Sequence, residues 1–311
     1  MHENSVTLIS SLALSECRHR FVKAGYFYRR CDKRRIQRFQ CQLCGKSKSV
    51  ATEEHFYRQR LRAMNTPLFM FLASAVPQRR LAINFGVNRK TIVRKFRVLG
   101  QMSDAKLLEQ NQHQQLVSVL EFDDLETFEH SKCKPLSVTL AVEKSSRRVL
   151  GFEVSQMPAK GLLAKFSRSK YGNRRDERFE GRERLFTKIK EYLDKRVIIR
   201  SDDNPHYTLQ VKAHFPTATH ITTKGGRGAV TGQGELKKQK FDPLFAINHT
   251  FAKCRADISR LVRKTWSTTK KSSQLQLHLS IMTVFHNHRL IDPKLRHPIF
   301  GKSRMLPLLA N

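Results

Sequence analysis

Apolar and polar positions follow two different periods along the chain, and the switch between them divides it. Val117-Ser-Val-Leu-Glu-Phe-Asp123, Pro135–Val142 and Arg148–Val154 run apolar or alternate over short stretches, which predicts three strands joined by tight turns. Phe179, Leu185, Ile189 and Leu193 then recur at helical spacing, followed by a strand at Val197–Ser201 and a helix containing Tyr207 and Val211. Ile221-Thr222 is the candidate fifth strand. Strands first, then helix, strand and helix again, is the order of a mixed α/β sheet. Two more helical stripes close the chain, one through Ile247, Phe251, Cys254, Ile258 and Leu261, the other through Leu275, Leu279, Met282 and Phe285. Between these elements, Lys160–Arg175 reads as a charged loop and residues 225–234 as a glycine-rich basic one.

Residues 60–105 keep the helical period. Leu68–Leu72 is apolar and Val76-Pro77 breaks it. In the next stretch Ala82, Gly86 and Ile92 have the spacing of a helix-turn-helix: a small residue admits the second helix, glycine supplies the turn, and a β-branched residue packs inward. Asn88 is the expected N-cap. Arg89, Lys90, Arg94 and Lys95 are then expected to face a DNA groove or its phosphates.

Charge narrows the class of partner. The chain has 311 residues and 59 Lys and Arg against 26 Asp and Glu, a formal net charge of +33. Such an excess repels itself unless a polyanion neutralises it, and nucleic acid gains affinity from each counterion that its phosphates release. No apolar run approaches the roughly 18 residues of a bilayer span, so an integral membrane protein is not expected. The short apolar patch Leu8–Leu14 lacks a basic lead, which argues against a secretory signal and for the cytoplasm.

Four of the six cysteines fall within the first 44 residues. Cys41-Gln-Leu-Cys44-Gly45 is a CxxC knuckle, the spacing at which two thiolates share one tetrahedral zinc ion. Cys17 and His19, two apart in an extended chain, are candidates to complete a Cys₃His site, with Cys31 or His55 as substitutes. Tyr26–Tyr28 and Ile36–Phe39 between them are β-prone and are expected to pair as a hairpin. Nine Lys and Arg between Arg18 and Arg38, interleaved with aromatic residues, suit phosphate contacts and base stacking.

Acids are scarce and unevenly placed. Five of the 26 lie in the nine residues Glu121–Glu129, at the end of an apolar strand, and Asp202-Asp203 end a second one. Two carboxylates delivered by two strands of one sheet can bind divalent metal through oxygen, and such metals activate phosphoryl transfer.

Phe122-Asp123-Asp124-Leu125-Glu126-Thr127-Phe128-Glu129-His130, Met157-Pro-Ala-Lys160-Gly, Ser201-Asp202-Asp-Asn-Pro-His-Tyr207 and Leu244-Phe-Ala-Ile-Asn248-His-Thr-Phe-Ala-Lys253-Cys-Arg255 resemble insertion-sequence transposases of the DDE type. The resemblance implies a zinc-ribbon-like module over 1–60, a helix-turn-helix domain over 61–112 and a ribonuclease H-like catalytic domain over 113–311, a mixed sheet with flanking helices. It implies Asp123, Asp202 and Asn248 as the catalytic set around Mg²⁺ or Mn²⁺, with Asn248 where most relatives have glutamate and Glu235 as the alternative third acid. Asp202 is chosen over Asp203 because Tyr207 follows five positions later. Lys253 and Arg255 become candidate phosphate clamps. The implied partners are double-stranded DNA (element ends and target) and further copies of the chain, on the nucleoid. The implied reaction is cleavage of a 3′ end and its transfer to target DNA. The rival expectation, prompted by the missing third acid, is a non-catalytic, site-specific DNA-binding protein.

Overall fold

The computed structural model describes residues 20–30, 33–53, 56–57, 59–224, 242–262, 266–297 and 299–300. Of these, the residues before Asn65, with Phe300, form one compact unit, and Asn65–Ile299 form a second. The boundary expected between 112 and 113 falls inside the second unit.

The first unit is built on three antiparallel strands in sequential order, β1 (Phe21–Arg29), β2 (Arg34–Cys41) and β3 (Ser47–Ser49). The β1–β2 register slips between Lys23 and Tyr26, where Gly25 takes a φ of 76° and its carbonyl accepts from Gln37 Nε2 at 2.8 Å. Such a bulge needs the left-handed backbone that glycine tolerates. Ile36, Cys41 and Ala51 are buried, whereas Tyr26 and Tyr28 stay exposed.

The second unit begins with α1 (Asn65–Leu72), α2 (Gln78–Asn84) and α3 (Arg89–Gln112). Three antiparallel strands follow, β4 (Val117–Phe128), β5 (Pro135–Glu143) and β6 (Val149–Gln156). After α4 (Leu163–Tyr171) and α5 (Arg178–Ile189), β7 (Leu193–Asp202) returns parallel to β4. A second helix, α6 (Pro205–His214), leads to β8 (Thr219–Thr223), parallel to β7. The chain continues through α7 (Phe245–Asp257) and α8 (Ser272–Ile291). The sheet order is β6-β5-β4-β7-β8, a five-stranded mixed sheet with flanking helices. The crossovers between parallel partners are helical, as parallel pairing requires.

Leu120 and Phe122 on β4 pack with Leu185 and Phe186 of α5 and with Tyr207 and Val211 of α6 to make the core of one side. Phe122 meets Phe186 edge-on at 5.2 Å and Tyr207 at 4.9 Å between ring centroids. At the sheet edge, backbone groups of β6 that no strand covers are taken up by side chains. Asn287 of α8 bonds both the N–H and the carbonyl of Val149, Asn111 of α3 donates to Leu150 O, and Gln276 accepts from Val154 N. Helices α3 and α8 lie against each other closely enough that a Cβ at Gly100 would stand 2.6 Å from Leu277 Cβ.

Four boundaries differ from the periodic reading. Strand β4 runs on to Phe128, so the acids lie within it and not at its end. Leu193 opens β7, because the helical run ends at Ile189 and a tight turn over Lys190–Tyr192 reverses the chain. Ile258 and Leu261 are buried but lie past the end of α7. The segment read as a charged loop contains helix α4, in which only Ser167 is buried. With so little apolar surface turned inward, α4 left no core-facing stripe in the sequence.

Candidate active site

The register of β4 on β7 decides what the acids do. Val119 pairs with Ile198, Leu120 with Ile199 and Glu121 with Arg200. The ladder ends there; two residues beyond it stand Asp123 on β4 and Asp202 on β7, close enough for the Asp202 charge to act on the Asp123 carboxyl. Burial raises the Asp123 carboxyl to about 7, with the charges of Asp202 and Asp124 acting in the same direction. The Asp124 N–H (2.7 Å) and the Tyr207 hydroxyl (3.3 Å) both donate to Asp123 Oδ1 and oppose the rise only in part. The Asp202 carboxyl is likewise raised, first by burial and then by Asp124 and Asp203. Among the described residues, its buried Oδ1 finds no hydrogen-bond partner. Burial and the three nearby carboxylates also push the Tyr207 phenol well above its ordinary value.

Asp124, one position on, points to the opposite side. It accepts from Thr139 Oγ1 and from Arg182 Nη1 at 3.2 Å. The Arg182 guanidinium is buried, bonds Gln210 Oε1 through Nε at 2.5 Å, and lies 5.1 Å over the Tyr207 ring. A buried carboxylate with a guanidinium partner is neutralised in place. Among the described residues Asp123 and Asp202 have no ion pair, the Arg182 charge lowers the Asp202 carboxyl only in part, and a half-buried pair of like charges with an orphaned oxygen is the arrangement that a divalent cation relieves.

Glu121 has a task that its strand position did not reveal. It is fully buried, and Oε2 accepts from the backbone N–H of Ile247 at 3.0 Å in the first turn of α7. A carboxylate at a helix N-terminus meets unpaired N–H groups and the positive end of the dipole. Burial nevertheless raises its pKa, and Oε1 is without a partner. The available signal was an acid in the middle of an apolar strand, since an acid in that place must find a donor.

Asn248 follows Ile247 on α7 and is exposed. Its Nδ2 donates to Asp242 Oδ2 at 2.9 Å, and it makes no hydrogen bond to Asp123 or Asp202. Asp242 also accepts from Leu244 N at 2.9 Å, just before the helix begins. Among the described residues, no three His, Cys, Asp or Glu side chains gather as metal ligands. Lys253 is committed to Asp257 at 2.6 Å, and Arg255 shares its helix one turn after Phe251.

On the N-terminal helices, Asn88 accepts from Lys90 N at 2.9 Å and begins α3, while Gly86 takes a φ of 59° in the turn from α2. Ile92 is buried. Arg89, Lys90 and Arg94 are exposed, but Lys95 is not. Lys95 is buried, with Nζ donating to Asn65 Oδ1 at 2.6 Å, which corrects its assignment to a DNA-facing surface. It sits three positions after Ile92, on the inward side of the helix, and a buried ammonium must have an acceptor. In the first unit, Cys44 N points at Cys41 Sγ (3.5 Å), and Gly45, at a φ of 67°, donates to Cys41 O at 3.1 Å. Cys17, His19, Cys31, His55, Glu235 and the glycine-rich segment lie outside the described residues.

No family model matches the chain, and no curated protein does. Among solved structures, it matches the catalytic domain of Mos1 mariner transposase at 13% identity and a TM-score of 0.23, over 64% of this chain and 93% of that one. The Mos1 mariner paired end complex with Mn matches at 11% and 0.23, over 77% and 81%. The Mos1 catalytic domain with Raltegravir and Mn matches at 10% and 0.20, over 63% and 92%. Among the described residues, no helix is long and apolar enough to cross a membrane.

Proposed function

We propose that the chain is an insertion-sequence DNA transposase with a ribonuclease H-like catalytic unit. The observation that carries this reading is the pair Asp123 and Asp202, two unneutralised acids on adjacent parallel strands of a protein whose net charge is +33. The sheet order, three antiparallel strands followed by two parallel ones with the first strand central, is the ribonuclease H-like arrangement and supports the same reading.

Asp123 and Asp202 would hold the divalent cation, Mg²⁺ or Mn²⁺, with the amide oxygen of Asn248 as an uncharged third donor once the helix that carries it closes on the pair. When bound, such an ion polarises the scissile phosphate and lowers the pKa of the attacking hydroxyl. Tyr207 holds the Asp123 carboxyl in one orientation, and Glu121 fixes the start of α7 relative to β4. Water attacks the phosphorus at the element end and the 3′ oxygen leaves. That 3′-hydroxyl then attacks a target phosphate in line, exchanging one phosphodiester for another with no net bond lost. Arg89, Lys90 and Arg94 at the start of α3 contact the element end, and Arg255 and Lys253 contact phosphates near the site. Cys41 and Cys44, with Cys17 and His19, would bind Zn²⁺ and stabilise the N-terminal unit as a DNA-binding ribbon. Two element ends held together call for more than one copy of the chain, working on the nucleoid.

The test is incubation of the purified protein with a labelled end fragment and Mg²⁺ or Mn²⁺. Asp123→Asn and Asp202→Asn are expected to lose cutting and joining by roughly a thousandfold while still binding the fragment in EDTA. Undiminished cutting by either variant overturns the proposal. One observation favours a second reading, a non-catalytic site-specific binder: the Asn248 amide is engaged by Asp242 and not by the acids. That reading expects binding with no nick at any metal concentration.

A further inference from the structure

Helix α4 is poorly anchored for its length. Nine residues are too few for a helix to be stable alone, and Ser167, bonded to Cys133 O at 2.6 Å, is the single residue it buries. Its apolar residues face outward. Leu162, immediately before it, is 99% exposed and Phe166 57%, with Leu163 and Tyr171 also exposed. Leu162, Leu163 and Phe166 are three and four positions apart and form one stripe.

Cations surround that stripe. Residues 157–178 contain seven Lys and Arg against two acids. The Lys170 ammonium lies 5.9 Å from the Phe166 ring centroid and 5.6 Å from that of Tyr171, and Lys134 lies 5.2 Å from Tyr171. A hollow of about 250 Å³ opens at the end of the helix, lined by Pro158, Ala164, Arg168 and Asn173. Rings and leucines beside ammonium groups match a chain of flat apolar units joined by anions. Double-stranded DNA hides its bases from such a surface, whereas an unpaired strand presents them.

The position of the patch fits this partner. Lys160 Nζ bonds Glu126 Oε1 at 3.2 Å, and Glu126 lies two residues beyond Asp124, toward the end of β4 and on the Asp124 side of the sheet. We infer that α4 is a binding site for unpaired nucleic-acid bases, with Phe166 and Leu162 taking the bases and Lys165, Arg168 and Lys170 their phosphates. This deepens the transposase reading and rests on it: α4 would hold an unpaired strand where it passes the end of β4, beyond the acids.

The experiment uses the full chain in EDTA, with fluorescence polarisation of one labelled oligonucleotide, first single-stranded and then annealed to its complement. Phe166→Ser and Leu162→Ser are surface changes, and their melting curves check that the fold is kept. Phe166→Ser is expected to weaken single-strand binding about tenfold or more and duplex binding less than twofold. Unchanged single-strand affinity overturns the inference, as does an equal loss on both probes. So does a dimer in solution that Phe166→Ser converts to monomer, or binding to phosphatidylserine vesicles that Phe166→Ser abolishes while oligonucleotide binding persists. A chain that never cuts DNA but binds single strands through Phe166 sinks the catalytic reading and leaves this one standing. A chain that cuts but whose single-strand binding ignores Phe166 sinks this inference alone.

Discussion

Asp123 and Asp124 are neighbours in sequence, yet they lie on opposite sides of β4 in opposite chemical conditions. Asp124 is tied to Thr139 and Arg182, and Arg182 in turn to Gln210 and the Tyr207 ring. Asp123 receives one N–H and one hydroxyl, and stands next to another acid. The difference teaches that a cluster of carboxylates in a basic protein can combine two functions. One side of the strand is a neutralised structural joint that fixes α5 and α6 to the sheet. The other side has no ion pair, so its carboxyls take up protons more readily than usual, and it suits the capture of a cation.

The most disruptive way to break the contrast is to remove the cation from the neutralised side. Arg182→Ala leaves the Asp124 charge with only the Thr139 hydroxyl as a partner, and is expected to cost about 3 kcal/mol in urea denaturation. Asp124→Asn on the same background should recover part of that loss, since it removes the orphaned charge.

On the open side the contrast is sharpened by pH. The folded state holds a proton on Asp123 up to about pH 7, while the unfolded chain releases it near 3.8, the ordinary aspartate value. Between those values the folded state binds more protons, so the stability of the metal-free protein falls as pH rises and levels off above about 7. The drop is at most about 4 kcal/mol by linkage. Denaturation curves at several pH values check it: Asp123→Asn should flatten this part of the profile, and saturating Mg²⁺ or Mn²⁺ should reverse its slope. A profile identical in the variant removes Asp123 from the account.

A smaller effect tests whether the joint positions the open side. Gly181 precedes Arg182 on α5, and a Cβ there would lie 1.9 Å from Ser155 Oγ and 3.2 Å from Ser155 Cβ. Gly181→Ala should therefore lift α5 from β6 at a cost of about 1–3 kcal/mol, partly restored by Ser155→Gly. Because Arg182 moves with α5, the variant should also shift the titration of Asp123, read by NMR of the carboxyl.

Much of this arrangement was legible in the chain. The β4, β5 and β6 runs, the helix beginning after Asn88 and the acid-rich stretch all follow from local periodicity and composition, which depend on near neighbours. What escaped depended on distant ones. Helix α4 lacked an inward stripe because its surroundings are solvent. Lys95 looked like a groove contact until Asn65, thirty positions earlier, proved to be its acceptor. Glu121 and Ile247 are 126 residues apart, and nothing local marks one as the cap of the other's helix.

By itself the sequence determined the order of elements, the excess of positive charge and the short list of acids, because each is a property of neighbouring residues or of their sum. Which acids are neutralised and which face each other was decided only by tertiary structure. The pairing of β4 with β7 brings the Asp202 charge within reach of Asp123, and the docking of α5 delivers Arg182 to Asp124. Electrostatic energy falls steeply with separation and with exposure to water, so the role of a carboxylate is set by where its partners stand after the chain has folded.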